Sequence, residues 1–136
     1  MATVKLLSDA EADAIPAVKA VFDDIRATRK TDFINNFWRG LANDPATLKR
    51  TWDGLKAVMT GETALPPAVQ EMIYIAVSTA NACTYCIHSQ TAAAKAKGMT
   101  DDQHAELLAI IGLAGQTNHM VTGMQLPVDP EFLVES

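Results

Sequence analysis

Apolar residues recur along this chain with the period of an α-helix, and this periodicity restricts the possible fold more than any other feature. It is clearest in PPAVQEMIYIAVSTANA (66–82), where apolar side chains follow the i, i+3, i+4, i+7, i+8 pattern of a buried helix face. The predicted members of this face are Val69, Met72, Ile73, Ala76, Val77 and Ala80. Pro66 or Pro67 suits the first turn, where no backbone N–H is needed. Strand-like alternation is weak, so the sequence predicts an all-α fold.

Three further helices are predicted upstream of this segment. One begins near Pro16, a short one lies in DFINNFWRGL (32–41), and one is capped by Asp44 and begins at Pro45. The residues predicted to face the core are Val18, Phe22 and Ile25 in the first helix, and Leu48, Trp52, Leu55 and Met59 in the third. Phe37, Trp38 and Trp52 are predicted to lie in the core or at an interface.

Downstream, Gly98 is predicted to end the helix that carries the two cysteines, and TDDQ (100–103) is a capping box that opens the next helix. The predicted apolar stripe of that next helix is Leu107, Leu108, Ile111 and Ala114. The tail LPVDPEFLVES (126–136) contains two prolines and is predicted to be extended. Because no repeat or linker is present, we expect residues 1–136 to form a single domain of roughly five to seven helices.

Composition narrows the class of function. The chain has 136 residues, of which 49% are hydrophobic and 20% charged, with a formal net charge of −5. An acidic surface argues against nucleic-acid or anionic-membrane partners, since both favour clustered Lys and Arg. No run reaches the ~18 apolar residues that a membrane span requires, and the N-terminus becomes acidic too soon for a signal peptide. We therefore expect a cytoplasmic protein, in which a C-x-x-C pair is more often catalytic or metal-binding than structural.

The cysteines Cys83 and Cys86 form such a C-x-x-C pair in NACTYCIHSQTAAAKAKGM (81–99). Haem attachment requires histidine directly after the second cysteine, where this chain has Ile87. A structural zinc site requires four ligands, and without a second pair only a site shared between subunits remains open. A buried apolar pair also remains open. A redox pair fits best, because Asn81 can cap the helix and place Cys83 in its first turn, where the helix dipole favours a thiolate.

Glu71 extends this pattern to EMIYIAVSTANACTYC (71–86). A glutamate on an apolar helix, a C-x-x-C pair opening the next helix, an alanine-rich stretch and Gly98 at its end resemble the alkyl hydroperoxidase D-like branch of the carboxymuconolactone decarboxylase superfamily. The resemblance covers roughly residues 44–123 and implies an all-α bundle with the C-x-x-C pair at the start of a central helix. It also implies assembly as a trimer or hexamer, and sometimes as a dimer.

The resemblance implies reduction of peroxides by a dithiol cycle. Cys86 would attack the peroxide, and Cys83 would resolve the product to a disulfide. A dithiol donor, such as a lipoyl group or a thioredoxin-like protein, would reduce that disulfide, and no bound cofactor is expected. Glu71 would be the base that helps to deprotonate Cys86, directly or through water. The alternative for Glu71 is a salt bridge at a helix edge.

One position departs from the family pattern. The histidine that the family places four residues after the second cysteine is replaced by Gln90, which can hold a water but cannot shuttle a proton as histidine does. Tyr85 stands where a histidine often precedes that cysteine, and could donate a hydrogen bond to the sulfurs or be a packed aromatic. His88 is turned by about 200° around the helix from Cys86. His88 and His119 are both candidates to replace the relay, and both have a surface position as the alternative.

Three functions remain open at this point. The first is a thiol-dependent peroxidase of antioxidant defence, acting on alkyl hydroperoxides. The second is a cofactor-free lactone decarboxylase of the same superfamily, whose members lack the cysteine pair. The third is a redox sensor that changes its oligomeric state without fast turnover. A homo-oligomer is expected in each case, because the apolar content is high for so small a chain.

Overall fold

The structure is a computed structural model that describes residues 1–133, and within that range the chain is helical and contains no β-strand. Its seven α-helices are α1 (Asp9–Asp13), α2 (Pro16–Arg29), α3 (Asn36–Leu41), α4 (Pro45–Met59), α5 (Pro67–Ala80), α6 (Thr84–Ala96) and α7 (Asp101–Met124). A short 3-10 turn follows at Pro130–Phe132, inside the tail predicted to be extended, and residues 134–136 of that tail lie outside the described residues. The all-α prediction is confirmed. The chain divides after Thr63 into two compact units, and its description as a single domain stays a prediction.

Local sequence determines where these helices begin. α2, α4 and α5 each begin at a proline, whose fixed φ and missing N–H suit the first turn. The carboxylate of Asp44 accepts hydrogen bonds from two backbone N–H groups at the start of α4. Thr100 and Gln103 form a capping box at the start of α7. The predicted starts of α2, α4 and α7 are therefore confirmed.

The first unit packs α1 to α4 around two tryptophans. Trp38 and Trp52 are each 1% exposed, and their rings meet edge to face with centroids 5.6 Å apart. The guanidinium of Arg29 lies 5.7 Å from the ring centroid of Trp38 and 5.6 Å from that of Trp52, a favourable cation–π arrangement. The surrounding core is formed by Leu7, Ala12, Val18, Val21, Phe22, Ile25, Ile34, Ala42 and Leu48. The core predicted for α2 is confirmed, as are Leu48, Trp52 and Leu55 in α4, whereas Met59 is only partly buried and Phe37 is exposed, and both lie outside this core.

Two arginines hold the segment that precedes α1 against this core. Arg39 donates hydrogen bonds to the backbone carbonyls of Leu7 and Ile34, each at 2.9 Å. Arg39 and Arg26 also donate to the same oxygen of Asp9, at 2.9 and 3.0 Å. These contacts fix the N-terminal segment so that the side chain of Leu7 stays buried.

Asp24 links α2 to α4. Its carboxylate accepts hydrogen bonds from Lys56 Nζ at 2.9 Å and from Trp52 Nε1 at 2.7 Å. The hydrogen bond from the Lys56 ammonium, and after it that from the Trp52 indole, hold the pKa of Asp24 below its usual value of 3.8. A carboxylate whose pKa is lowered by folding contributes stability above its unfolded pKa, and this contribution is lost as the pH falls through the folded pKa.

We therefore expect Asp24→Asn to matter at neutral pH and progressively less in acid. At pH 7 the variant should lose about 1 kcal/mol of unfolding free energy, a modest value because both charged partners are partly exposed. Urea titrations in steps from pH 7 to pH 3 would measure the difference from wild type, which should shrink as the pH falls. Asp53→Asn, on an exposed ion pair of α4 with Lys49, is the matched control and should change little. If the difference in unfolding free energy between wild type and Asp24→Asn stays constant from pH 7 to pH 3, the expectation is wrong.

The second unit consists of α5 and α6, joined by residues 81–83, with α7 packed on α5. Its core is small: the buried apolar residues are Ile75, Ala94 and Met99, and the partly buried ones are Met72, Leu107 and Ile111. The core therefore draws on all three helices and on the turn that follows α6.

The predicted buried face of α5 is wrong except at Met72, which packs against this core. Val69, Ile73 and Val77 are 36%, 49% and 54% exposed, and Ala80 is exposed as well. The buried residues of α5 are instead Glu71, Ile75 and Ser78. Because α5 is apolar on most of its circumference, periodicity alone does not identify the side that α6 and α7 cover.

α7 is apolar but barely covered. Leu107 and Ile111 pack as predicted, whereas Leu108 and Ala114 are exposed, and none of the described residues of α7 is fully buried. We call its half-exposed apolar residues the α7 apolar surface: Leu108, Ile110, Leu113, Met120, Val121 and Met124. Six half-exposed apolar side chains on one helix are unusual for a protein that functions as a monomer.

Candidate functional site

Cys83 and Cys86 lie where the chain turns from α5 into α6. Their sulfurs are joined in a disulfide, and their Cα atoms are 5.3 Å apart, within the usual range for such a bond. Both residues are half-buried. The pair therefore has the spacing and the partial accessibility that thiol–disulfide exchange requires.

Cys83 has a different place in the helix from the one predicted. It is the N-cap of α6, and its sulfur accepts a hydrogen bond from the backbone N–H of Cys86 at 3.3 Å. The predicted cap, Asn81, instead ends α5. Cys86 is thus the cysteine in the first turn, where unpaired backbone N–H groups and the helix dipole favour a negatively charged sulfur.

The reason for this difference is the way in which α5 ends. The N–H of Cys83 donates to the carbonyl of Ser78 at 2.9 Å, and the N–H of Ala82 donates to that of Thr79 at 3.1 Å. This pair of bonds is a Schellman motif, with Ala82 in the left-handed region at φ 53°. The motif occupies residues 81–83, so Cys83 closes one helix and caps the next.

Glu71 is buried and ion-paired. Its Oε1 accepts a hydrogen bond from Lys97 Nζ at 2.5 Å, and its side chain is only 5% exposed. Its other oxygen, Oε2, is buried and has no hydrogen-bond partner among the described residues. Glu71 therefore forms a salt bridge, as one of its two interpretations held, but in a buried position rather than at a helix edge. Its role as a base stays a prediction.

Lys97, the partner of Glu71, lies on the same face of α6 as Cys86. Gln90 and Lys97 lie about 40° and 20° around the helix axis from Cys86, so the three residues share that face. Lys97 is about 16 Å along the axis from Cys86, with the half-buried Gln90 between them. Within residues 1–133 no hydrogen bond joins Glu71 to either sulfur. A proton passing between Cys86 and Glu71 therefore needs a bridging group.

The remaining predicted site residues are exposed. Tyr85 is 46% exposed in the first turn of α6, so it is not a packed core aromatic. His88 is exposed on α6, as its angular offset from Cys86 predicts. His119 is exposed on α7, about 12 Å along the helix axis from Ile111, the last residue of α7 in the core. No hydrogen bond in the described part of the chain connects either histidine to the cysteine pair.

Lys97 is the residue that sequence reasoning missed. A lysine just before the glycine that ends a helix is typically a solvated cation near the negative helix end. The available signal was its spacing of three helical turns from Cys86, which returns it to the same face. The neighbouring Lys95 is the surface cation that this position suggests: it pairs with Asp101 at 2.9 Å and holds the pKa of Asp101 below its usual value.

None of the helices in the described range is long and apolar enough to cross a membrane. Among residues 1–133, no three His, Cys, Asp or Glu side chains are grouped so that they could hold a metal ion.

Known proteins provide two similarities. The family model described as the carboxymuconolactone decarboxylase family matches residues 45–128, a range that includes Glu71 and both cysteines. A crystal structure described as the alkylhydroperoxidase AhpD core from Rhodospirillum rubrum is 71% identical in sequence, with a TM-score of 0.97 over 99% of each chain. No curated protein matches the chain.

Proposed function

This chain belongs to the carboxymuconolactone decarboxylase family, and from that premise we propose that it is a thiol-dependent peroxidase acting on alkyl hydroperoxides. The resemblance first seen in Glu71 and the C-x-x-C pair is confirmed, and the fold is that of the AhpD core. The observation that carries the proposal is the Cys83–Cys86 disulfide at the start of α6, because such a disulfide would be the oxidised form of the proposed dithiol cycle.

The proposed cycle begins at Cys86. Its thiolate attacks one oxygen of the hydroperoxide, forming an S–O bond as the O–O bond breaks, and the alkoxide takes up a proton and leaves as an alcohol. Cys83 then attacks the sulfenic acid, releasing water and forming the disulfide. Two electrons have passed from the thiols to the peroxide. An external dithiol returns them by thiol–disulfide exchange and becomes a disulfide itself.

The positions of the two cysteines support this division of roles. Cys86 lies in the first turn of α6, where the helix end stabilises a thiolate, and Cys83 is within bonding distance at the cap. Glu71 would accept the proton of Cys86 through a water, for which the amide of Gln90 on the same face provides a hydrogen-bonding group. In this arrangement the water beside Gln90 would carry the proton that a histidine side chain carries in the family pattern.

The partners follow from the same chemistry. The reductant would be a dithiol, such as a lipoyl group or a thioredoxin-like protein, and no bound cofactor takes part. We also propose a homo-oligomer, a trimer or hexamer or else a dimer, because the α7 apolar surface is too extensive to remain in water at little cost. The cytoplasmic location stays a prediction.

The test is a thiol titration of the reduced protein with and without a slight excess of cumene hydroperoxide. We expect rapid loss of two thiols per chain and their recovery on addition of dihydrolipoamide. If both thiols survive the hydroperoxide, the proposed function is wrong. Rapid oxidation without repeated turnover would favour a redox sensor instead, and lactone decarboxylation that persists after alkylation of the thiols would favour the decarboxylase.

A further inference from the structure

The ion pair between Glu71 and Lys97 is buried on the Glu71 side and partly exposed on the Lys97 side. The two side chains are 5% and 34% exposed, and Lys97 Nζ lies 2.5 Å from Glu71 Oε1. Removing a carboxylate from water is costly unless a cation and hydrogen bonds compensate for it. Lys97 supplies that compensation to one oxygen only. The other oxygen, Oε2, stays buried and unsatisfied among the described residues, which is rare in folded proteins and calls for an explanation.

The backbone at Lys97 is held firmly. α6 ends in a second Schellman motif, in which the N–H of Met99 donates to the carbonyl of Ala94 at 3.0 Å and the N–H of Gly98 donates to that of Lys95 at 3.0 Å. Gly98 takes φ 99°, a conformation open to glycine, and Met99 is buried beside Ala94. Lys97 therefore extends from a fixed helix end, so its ammonium can hold the Glu71 carboxylate in one orientation.

We propose, on the basis of the function above, that Lys97 is a positioning residue for the thiol chemistry. By binding Oε1 it fixes the Glu71 carboxylate in one orientation, which leaves Oε2 as the acceptor for the proton of Cys86. The proton leaves the Cys86 thiol, crosses a water held by the Gln90 amide and reaches Oε2. It returns by the same route to the alkoxide formed when the O–O bond breaks. The shared face of Cys86, Gln90 and Lys97 on α6 supplies this path.

The first measurement is the rate at which the reduced protein forms its disulfide with excess cumene hydroperoxide. Lys97→Met keeps the aliphatic stem and removes the charge, and should slow the reaction about tenfold or more. This is less than the roughly 10²–10⁴-fold that a general base contributes, because Glu71 itself is retained. Lys97→Arg keeps the charge and should stay within a few-fold of wild type. Lys95→Met is the matched control, because it removes the same charge two residues away, from an exposed pair with Asp101, and should react like wild type.

A double-mutant cycle separates positioning from general damage to the fold. Lys97→Met should have no further effect in the Glu71→Gln background, because Lys97 acts only through Glu71. The double variant also buries no unpaired charge, so it should fold even if Lys97→Met alone is too unstable to study. A rate for Lys97→Met equal to wild type, or the same slowing with and without Glu71, would overturn the proposal.

A second readout keeps this test independent of the proposed peroxidase. Alkylation of Cys86 by iodoacetamide in the Cys83→Ser background depends on deprotonation of the thiol but not on any peroxide. Lys97→Met should slow alkylation at neutral pH, whereas Lys97→Arg and Lys95→Met should not. If wild type does not react with hydroperoxide but the variants show this alkylation pattern, the proposed peroxidase function is wrong and Lys97 retains its role. If hydroperoxide oxidises wild type and Lys97→Met alike, only the role of Lys97 is wrong.

Discussion

Cys86→Ser should abolish hydroperoxide consumption, while Cys83→Ser should consume about one equivalent and then stop. A serine hydroxyl is not ionised at neutral pH and cannot replace the thiolate, so we expect a loss of at least about 10³-fold in rate for Cys86→Ser. In Cys83→Ser the sulfenic acid still forms on Cys86, but no second thiol is present to resolve it. The measurement is hydroperoxide loss by the pre-reduced variants after the reductant has been removed, with mass spectrometry of the dimedone-trapped sulfenic acid.

The structure makes these two variants a well-matched pair. Cys83 caps α6 through its sulfur, and serine is among the preferred N-cap residues, so Cys83→Ser should preserve the start of the helix. Circular dichroism of both reduced variants would verify that the fold is retained. If Cys86→Ser remains active and Cys83→Ser is inactive, the roles of the two cysteines are reversed. If both variants remain active, the reaction does not use the pair.

Trp52→Ala should be the most damaging single change in the first unit. The ring is fully buried, packs edge to face against Trp38, and its indole N–H donates to Asp24. Deleting such a ring removes its transfer free energy and leaves a cavity, which costs about 3–5 kcal/mol. Since whole domains are stable by only about 5–15 kcal/mol, the variant should be close to unfolding at room temperature.

Urea unfolding followed by circular dichroism at pH 7 would measure this loss, at one fixed protein concentration so that any association affects all variants equally. Trp52→Phe is the control, because it keeps an aromatic ring in the core and removes the indole N–H that binds Asp24. We expect it to lose clearly less stability than Trp52→Ala. A loss below about 1 kcal/mol for Trp52→Ala would mean that the core closes around the missing ring.

Features encoded by short segments were predictable from the sequence. Prolines at the starts of α2, α4 and α5, the Asp44 cap and the capping box of α7 act within one helical turn, and all appear where expected. The buried side of α5 was not predictable in this way. It depends on which neighbours cover a helix that is apolar nearly all round, and neighbours are a property of tertiary packing.

The site shows the same division. Spacing identified Cys83 and Cys86 as candidates, because i, i+3 pairs on a helix face one way, and the family resemblance added Glu71. Spacing did not reveal that Cys83 caps α6, since the preceding left-handed residue is Ala82 and the usual glycine signal is missing. Nor did it reveal the partner of Glu71, because Lys97 is distant in sequence and its position depends on the packing of α5 against α6.

The stretch matched by the family model does not coincide with a compact unit of this chain. The match to the family model begins at Pro45, the first residue of α4, whereas the fully buried residues that pack with Leu48 and Trp52 precede it in the chain. A fragment that starts at residue 45 would contain α4 with its buried face, Leu48 and Trp52, exposed to water. The limit of the family model therefore lies inside a hydrophobic core, because α4 buries Leu48 and Trp52 against residues of α1 to α3.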